Sequence, residues 1–241
     1  FETMIVESGK HYNKISPLAQ KKIMDTPGVR HINPGFRKPK FSRIEIRDIS
    51  IAILVLSVSF TLIYRNNNGF FSDDYVTNIL CWFGVSFIFV ITSFMMHEMG
   101  HKFTAQRFGA WSEFRMYPFG LMICLISSFF GFLFAMPGAV YINGYITEEQ
   151  NGKISVAGPA VNIVLCAISL ILAMIFGGMY SKVGAILLVL AYLNSFLAVF
   201  NMLPIGPLDG GKILRWNGMV YGAMIALSIA FLIITRIVIN A

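Results

Sequence analysis

The segment Phe94-Met95-Met96-His97-Glu98-Met99-Gly100-His101 closes a long apolar run and carries a His-Glu-x-x-His box. On a helix, positions four apart share one face, so His97 and His101 can offer two imidazole nitrogens to a single metal ion. Glu98 is one residue on, beside that ion, where a carboxylate can take a proton from a bound water. The surroundings are unusual for such chemistry. Residues 79–96 carry no charge, which places the box inside a membrane.

Two His and a Glu leave the set short, because a catalytic zinc takes three protein ligands and keeps a fourth position open. Across the apolar spans the other acid is Asp209. An Asp at the centre of a bilayer costs about +2.5 to +3.5 kcal/mol on insertion scales, and a metal cation compensates a buried carboxylate better than a hydrogen bond does. Asp209 is therefore the expected third ligand. Pro204 and Pro207 cannot continue a helix, so the chain unwinds just before it. Unwound backbone at membrane depth is tolerated only inside protein or beside a water-filled cavity.

His97-Glu98-Met99-Gly100-His101, followed far downstream by Asn201-x-x-Pro204-x-x-Pro207-Leu208-Asp209-Gly210, resembles the site-2 protease family, the intramembrane zinc metalloproteases. Gly158-Pro159-x-x-Asn162 is similar to a third signature of that family. The resemblance spans residues 78–215. It departs from many members in the prolines, which lie three apart here rather than as Pro-x-Pro. It implies one zinc ion held by His97, His101 and Asp209, with Glu98 as catalytic base and Asn201 helping to hold substrate or oxyanion. It implies a transmembrane segment of another membrane protein as substrate, cut near its cytosolic end in regulated intramembrane proteolysis. It also implies a minimal form, since residues 101–154 leave no room for a PDZ domain and no CBS-type tail follows. The same ligands would serve a membrane metal transporter or metal sensor. Glu98 separates the readings: a transporter uses it as one more ligand, a protease needs it for turnover.

The elements that must position these residues can be read from hydropathy. Apolar spans run over 49–64, 78–101, 154–176, 183–203 and about 217–235, which gives an all-α polytopic membrane protein with about five to six transmembrane helices. His101 and Asp209 both lie at the C-terminal ends of spans and must meet at one depth, so those two helices run the same way. Residues 154–176 cross once in between. Residues 116–146 must then cross an even number of times or not at all. They are expected to be helical from Met116 to Met136, broken by Pro137-Gly138, and strand-like with a turn from Ala139 to Ile146, forming a re-entrant segment. Gly158-Pro159 reads as a close-packing and helix-start feature and Asn162 as a helix-packing polar residue. Asn162 and Asn201 are also expected to line a water channel.

Two domains follow, a basic cytosolic tail at 1–47 and a membrane-embedded domain at 48–241. His11 and His31 in the tail read as surface histidines, and Tyr117, Tyr141 and Tyr145 as interface aromatics. The chain begins at Phe1 rather than Met, as a fragment or processed product does. It is 56% hydrophobic and 13% charged, with mean hydropathy +0.68, against about 25% charged residues in soluble domains. The net charge of +7 lies mostly beside apolar spans, which suits anionic lipid headgroups and topology rather than nucleic acid. Lys102, Arg107, Arg115, Lys212 and Arg215 flank the site. By the positive-inside rule this puts the site and the N-terminus on the cytosolic side, in a cell membrane. Cys81, Cys124 and Cys166 fall in apolar runs without a CxxC pair, so neither a disulfide framework nor a thiolate metal site is indicated.

Overall fold

A computed structural model describes residues 41–65, 69–134 and 136–240. Helix α1 (Arg43–Tyr64) starts where the Ser42 hydroxyl accepts the Glu45 N–H at 3.1 Å. Ser57, Ser59 and Thr61 are buried on it. Each donates to the carbonyl four residues back, so these hydroxyls are satisfied within the helix. The helix begins before the expected boundary at residue 47 and carries buried Glu45 and Asp48. Both acids precede the apolar run that starts at Ile49. The rest of the expected tail, with His11 and His31, lies outside the described residues.

The next span, Tyr75–Arg107, is one continuous helix in three parts. Helix α2 (Tyr75–Phe89) is capped by Asp74, which accepts the Thr77 N–H at 2.8 Å. A π-helical turn (Val90–Met95) follows, where Met96 N–H reaches Ile91 O five residues back. Helix α3 (Met96–Arg107) carries the His-Glu-x-x-His box. One extra residue in a turn rotates everything after it by about 100°. The π turn therefore swings the box onto a different face from the apolar stripe upstream.

Strands β1 (Trp111–Met116) and β2 (Gly138–Asn143) pair antiparallel, with Trp111 opposite Asn143 and Met116 opposite Gly138. Gly138 has φ +145, and a Cβ there would lie 2.3 Å from Arg115 O, so the close pairing needs glycine. Between the strands lies α4 (Pro118–Phe129), with proline in its first turn. Its 12 residues rise about 18 Å, short of the ~30 Å hydrocarbon thickness. Because the strands that flank it are paired, the excursion returns to where it left, with no net crossing. The helix ends at Phe129 rather than Met136 and the second strand stops at Asn143. Strand β1 was not foreseen.

Helix α5 (Glu148–Ile175) opens with a reciprocal Thr147–Gln150 capping box. Its start at Glu148 corrects the expected start near Gly158-Pro159, and Pro159 sits within the helix. Helix α6 (Lys182–Asn201) is capped by Ser181. A turn containing Gly206 leads to the short α7 (Asp209–Trp216), and α8 (Gly218–Asn240) completes the chain. Helix α5 packs against α3, α6 and α7, α1 packs against α2, α4 and β1, and α8 leans on α5 and α6.

Five helices among the described residues are long and apolar enough to cross a membrane: Arg43–Tyr64, Tyr75–Arg107, Glu148–Ile175, Lys182–Asn201 and Gly218–Asn240. Their outer faces expose Leu80, Ile88, Ile171, Ile175, Ile233 and many other large apolar side chains. In water such a surface would aggregate; in a bilayer it is the solvent-facing surface. The chain is an all-α polytopic membrane protein with one small sheet.

Candidate metal centre

His97, His101 and Asp209 come from α3 and the first residue of α7, far apart in sequence, and their donor atoms lie within 4.8 Å of one another. His97 Nε2 and His101 Nε2 are 3.0 Å apart. Asp209 Oδ2 stands 3.4 Å from the first and 3.1 Å from the second. All three residues are buried.

The far side of each ring fixes its tautomer. His101 Nδ1 is 2.8 Å from the Ile154 carbonyl, which can only accept. The proton is therefore on Nδ1, and neutral His101 presents a bare lone pair at Nε2. His97 Nδ1 faces Asn162 Oδ1 at 2.5 Å. The amide cannot be turned round, because its NH2 is committed to Ser93 O at 3.1 Å and Asn194 Oδ1 at 2.8 Å. Asn194 is fixed in turn by donating to Ser93 Oγ and Leu190 O. His97 likewise carries its proton on Nδ1 and a lone pair on Nε2. A protein partner on the second ring nitrogen is the usual setting of a metal-binding histidine.

Two ring nitrogens and a carboxylate oxygen thus converge on one space that a metal cation would fill. Four ligands at 2.0–2.2 Å on a tetrahedron stand about 3.3–3.6 Å apart, and the triangle here is slightly tighter, with edges of 3.0, 3.1 and 3.4 Å. A two-His, one-carboxylate set with a side left over is a catalytic zinc donor set. The residues fit the metal.

Close packing brings the pieces together. Gly158 on α5 lies against the imidazoles, where a Cβ would be 2.4 Å from His101 Nε2 and 2.6 Å from His97 Nε2. Gly210 lets α7 fold back on the end of α6; a Cβ there would meet Met202 O at 2.0 Å. The other oxygen of Asp209 faces Lys212 Nζ at 3.5 Å.

Glu98 stands apart from the three-residue group. It is 8% exposed, and its Oε2 accepts the Val140 N–H of β2 at 2.9 Å. Val140 faces Phe114 in the register, and Phe114 N–H also turns away from the sheet, to Glu45. Val140 N–H therefore lies on the unpaired edge of β2, and Glu98 sits along that edge.

Asn201 is the last residue of α6, half-buried, and its amide donates to Leu197 O at 3.0 Å in its own helix. Asn162 is fully buried and holds His97, which corrects its expected place in the lining of a water channel. Asn194, Ser93 and the Ile154 carbonyl were not singled out from sequence. An Asn in the middle of an apolar span was the available signal for Asn194.

A model of Peptidase family M50 matches residues 174–226, the stretch that holds Asn201 and Asp209. A provisionally named zinc metalloprotease of Methanocaldococcus jannaschii is 41% identical over 188 residues, 76% of this chain and 89% of the relative. A zinc metalloprotease of the same organism is 30% identical over 140 residues, 58% of this chain and 36% of the relative. A provisionally named zinc metalloprotease of Bacillus subtilis is 29% identical over 148 residues, 53% of this chain and 66% of the relative. No solved structure matches the chain significantly.

Proposed function

The chain belongs to the site-2 protease family, peptidase family M50, and from that membership we propose that it hydrolyses a peptide bond within or beside a transmembrane segment of another membrane protein. It is a membrane zinc metalloprotease by kinship. The observation that carries the finer reading is the separation of roles in the geometry. Three donors converge on one point, while Glu98 is held aside on the open edge of β2. A transport or sensing site would draw Glu98 in as another ligand.

His97, His101 and Asp209 hold zinc in this reading. Bound there, zinc supplies a Lewis acid that polarises the scissile carbonyl and acidifies water. Glu98 takes one proton from the attacking water as the hydroxyl adds to the acyl carbon, and returns it to the leaving amine as the C–N bond breaks. The net change is one water added across one amide bond, with Glu98 restored. The unpaired edge of β2 receives the substrate as an added strand, which exposes a bond that a helix would bury. Asn201 contributes to holding substrate or oxyanion. The flanking Arg107, Arg115, Lys212 and Arg215 support a cytosolic position for this end of the bundle and for the N-terminus, in a cell membrane.

The test is Glu98→Gln, purified beside the wild type. The amide keeps its size, so the variant binds one zinc per chain while cleavage of a membrane-embedded reporter falls by about 10²–10⁴-fold. A variant that still cuts at the wild-type rate would sink the proteolytic mechanism.

A further inference from the structure

Behind the metal centre lies a second cluster of charge that the hydrolytic scheme does not use. Glu45 on α1 and Lys102 on α3 are both fully buried. Lys102 Nζ donates to both carboxylate oxygens of Glu45 at 2.7 Å and to Ser112 O at 3.1 Å. Glu45 Oε1 also accepts the Phe114 N–H at 2.9 Å. Ser112 Oγ donates to Lys102 O at 3.1 Å, and Ser42 Oγ donates to Glu113 at 2.9 Å. The Phe41 ring centre lies 4.4 Å from the ammonium.

Stability alone does not account for such a cluster. A buried ion pair is often no better than apolar side chains of the same volume, because desolvating two charges offsets their attraction. What the pair does is geometric. Ser112 and Phe114 are two apart on β1 and turn their outward backbone groups to the same side, the side without a strand. Lys102 and Glu45 occupy those groups. One edge of the sheet is thereby closed by side chains of α1 and α3; the other carries no further strand, and an incoming one would take the Val140 N–H over from Glu98. Lys102 directly follows His101, so the same residue ties the sheet to the helix that carries the two imidazoles.

We propose that Glu45 and Lys102 are positioning residues that lock β1, and through it β2, at a fixed height against Glu98, and so determine which bond of a bound segment is cut. This inference rests on the strand-addition reading above. Near-attack geometry is unforgiving, and an error of about 1 Å can cost up to ~10²-fold in rate. A sheet free to shift against α3 would present neighbouring bonds to the same chemistry.

The experiment uses the full chain, reconstituted with single-span reporter proteins in phosphatidylethanolamine–phosphatidylglycerol vesicles. Products are mapped by mass spectrometry and rates are measured against reporter density. Glu45→Gln and Lys102→Met are compared with wild type, together with the double variant Glu45→Gln/Lys102→Met. The double variant removes both charges and leaves neither buried alone, so it remains a folded test if a single variant does not accumulate. The expected result is unchanged zinc content, a kcat lowered roughly 10–100-fold and new cleavage at bonds flanking the wild-type one. A purely structural role would lower the unfolding temperature and the yield but leave the cut bond and the kcat per folded molecule unchanged, and that result overturns the proposal. If the wild type cuts no reporter, or Glu98→Gln cuts as well as wild type, the proteolytic reading fails first and this inference falls with it.

Discussion

Gly158 has no space for a methyl group, since its Cβ position is 2.4 Å from His101 Nε2 and 2.6 Å from His97 Nε2. Gly158→Ala should therefore push the imidazoles off their common point. The expected outcome is a helical protein by circular dichroism whose zinc content, measured by atomic emission, falls far below one per chain. Asn162 acts on the same ring from behind. Replacing it with Ala frees His97 to rotate and leaves the Ser93 carbonyl and the Asn194 amide short of a partner. Such changes around a ligand typically weaken metal affinity about 10–100-fold, and competition with a chromogenic chelator will measure the loss. At this scale the meeting of His97 and His101 was legible, because residues four apart share one face of a helix. The duty of Asn162 was not. It depends on Ser93 and Asn194, from two other helices, and no local pattern ties residues that distant.

Helix α7 is only eight residues long, yet it delivers Asp209, and one of the close contacts that set its pose is at Gly210. Gly210 lies against the backbone carbonyl of Met202, where a Cβ would be 2.0 Å away. Backbone cannot step aside as a side chain can. Gly210→Ala should open the turn between α6 and α7 and draw Asp209 back. It is expected to cost about 1–3 kcal/mol, as overpacking does, seen in thermal unfolding, together with loss of bound zinc. The π turn before His97 works at the same scale: it sets the face on which the box emerges. Hydropathy located a span over 78–101, shorter than the helix Tyr75–Arg107, and not this extra residue, because hydrophobic spacing cannot separate one wide turn from two neighbouring faces. Strand β1 was missed for a similar reason. Trp111 to Met116 mixes aromatic and charged residues, and it becomes a strand by pairing with β2 and receiving Lys102 and Glu45 on its other edge.

For the molecule as a whole, the shared depth of His101 and Asp209 demands that residues 111–143 make no net crossing, and the pairing of Met116 with Gly138 closes that excursion. The connections at Ser72–Asp74 and Gly177–Ser181 then lie on one face of the membrane, and those at Gly109, Tyr145–Thr147 and Pro204–Pro207 on the other. With Cys81, Cys124 and Cys166 replaced, a cysteine at Ser72 and one at Thr147, on either side of the span Tyr75–Arg107 and the excursion that follows it, should react with a membrane-impermeant maleimide from opposite sides of sealed vesicles. Labelling of both from the same side would require a different number of crossings. The outer helix α8, which leans on α5 and α6 by one face, does not alter this parity.

The sequence alone pointed to metal chemistry and to the topology. His97 and His101 lie four apart after an uncharged run, with Asp209 at the end of another span, and two span ends that meet at one depth must point the same way. Tertiary structure alone decided which ring nitrogen carries each proton, which edge of the sheet stays open and where Glu98 rests. Those outcomes depend on hydrogen bonds to Ile154, Asn162, Glu45 and Val140. Such bonds form only after helices distant in sequence have packed against one another.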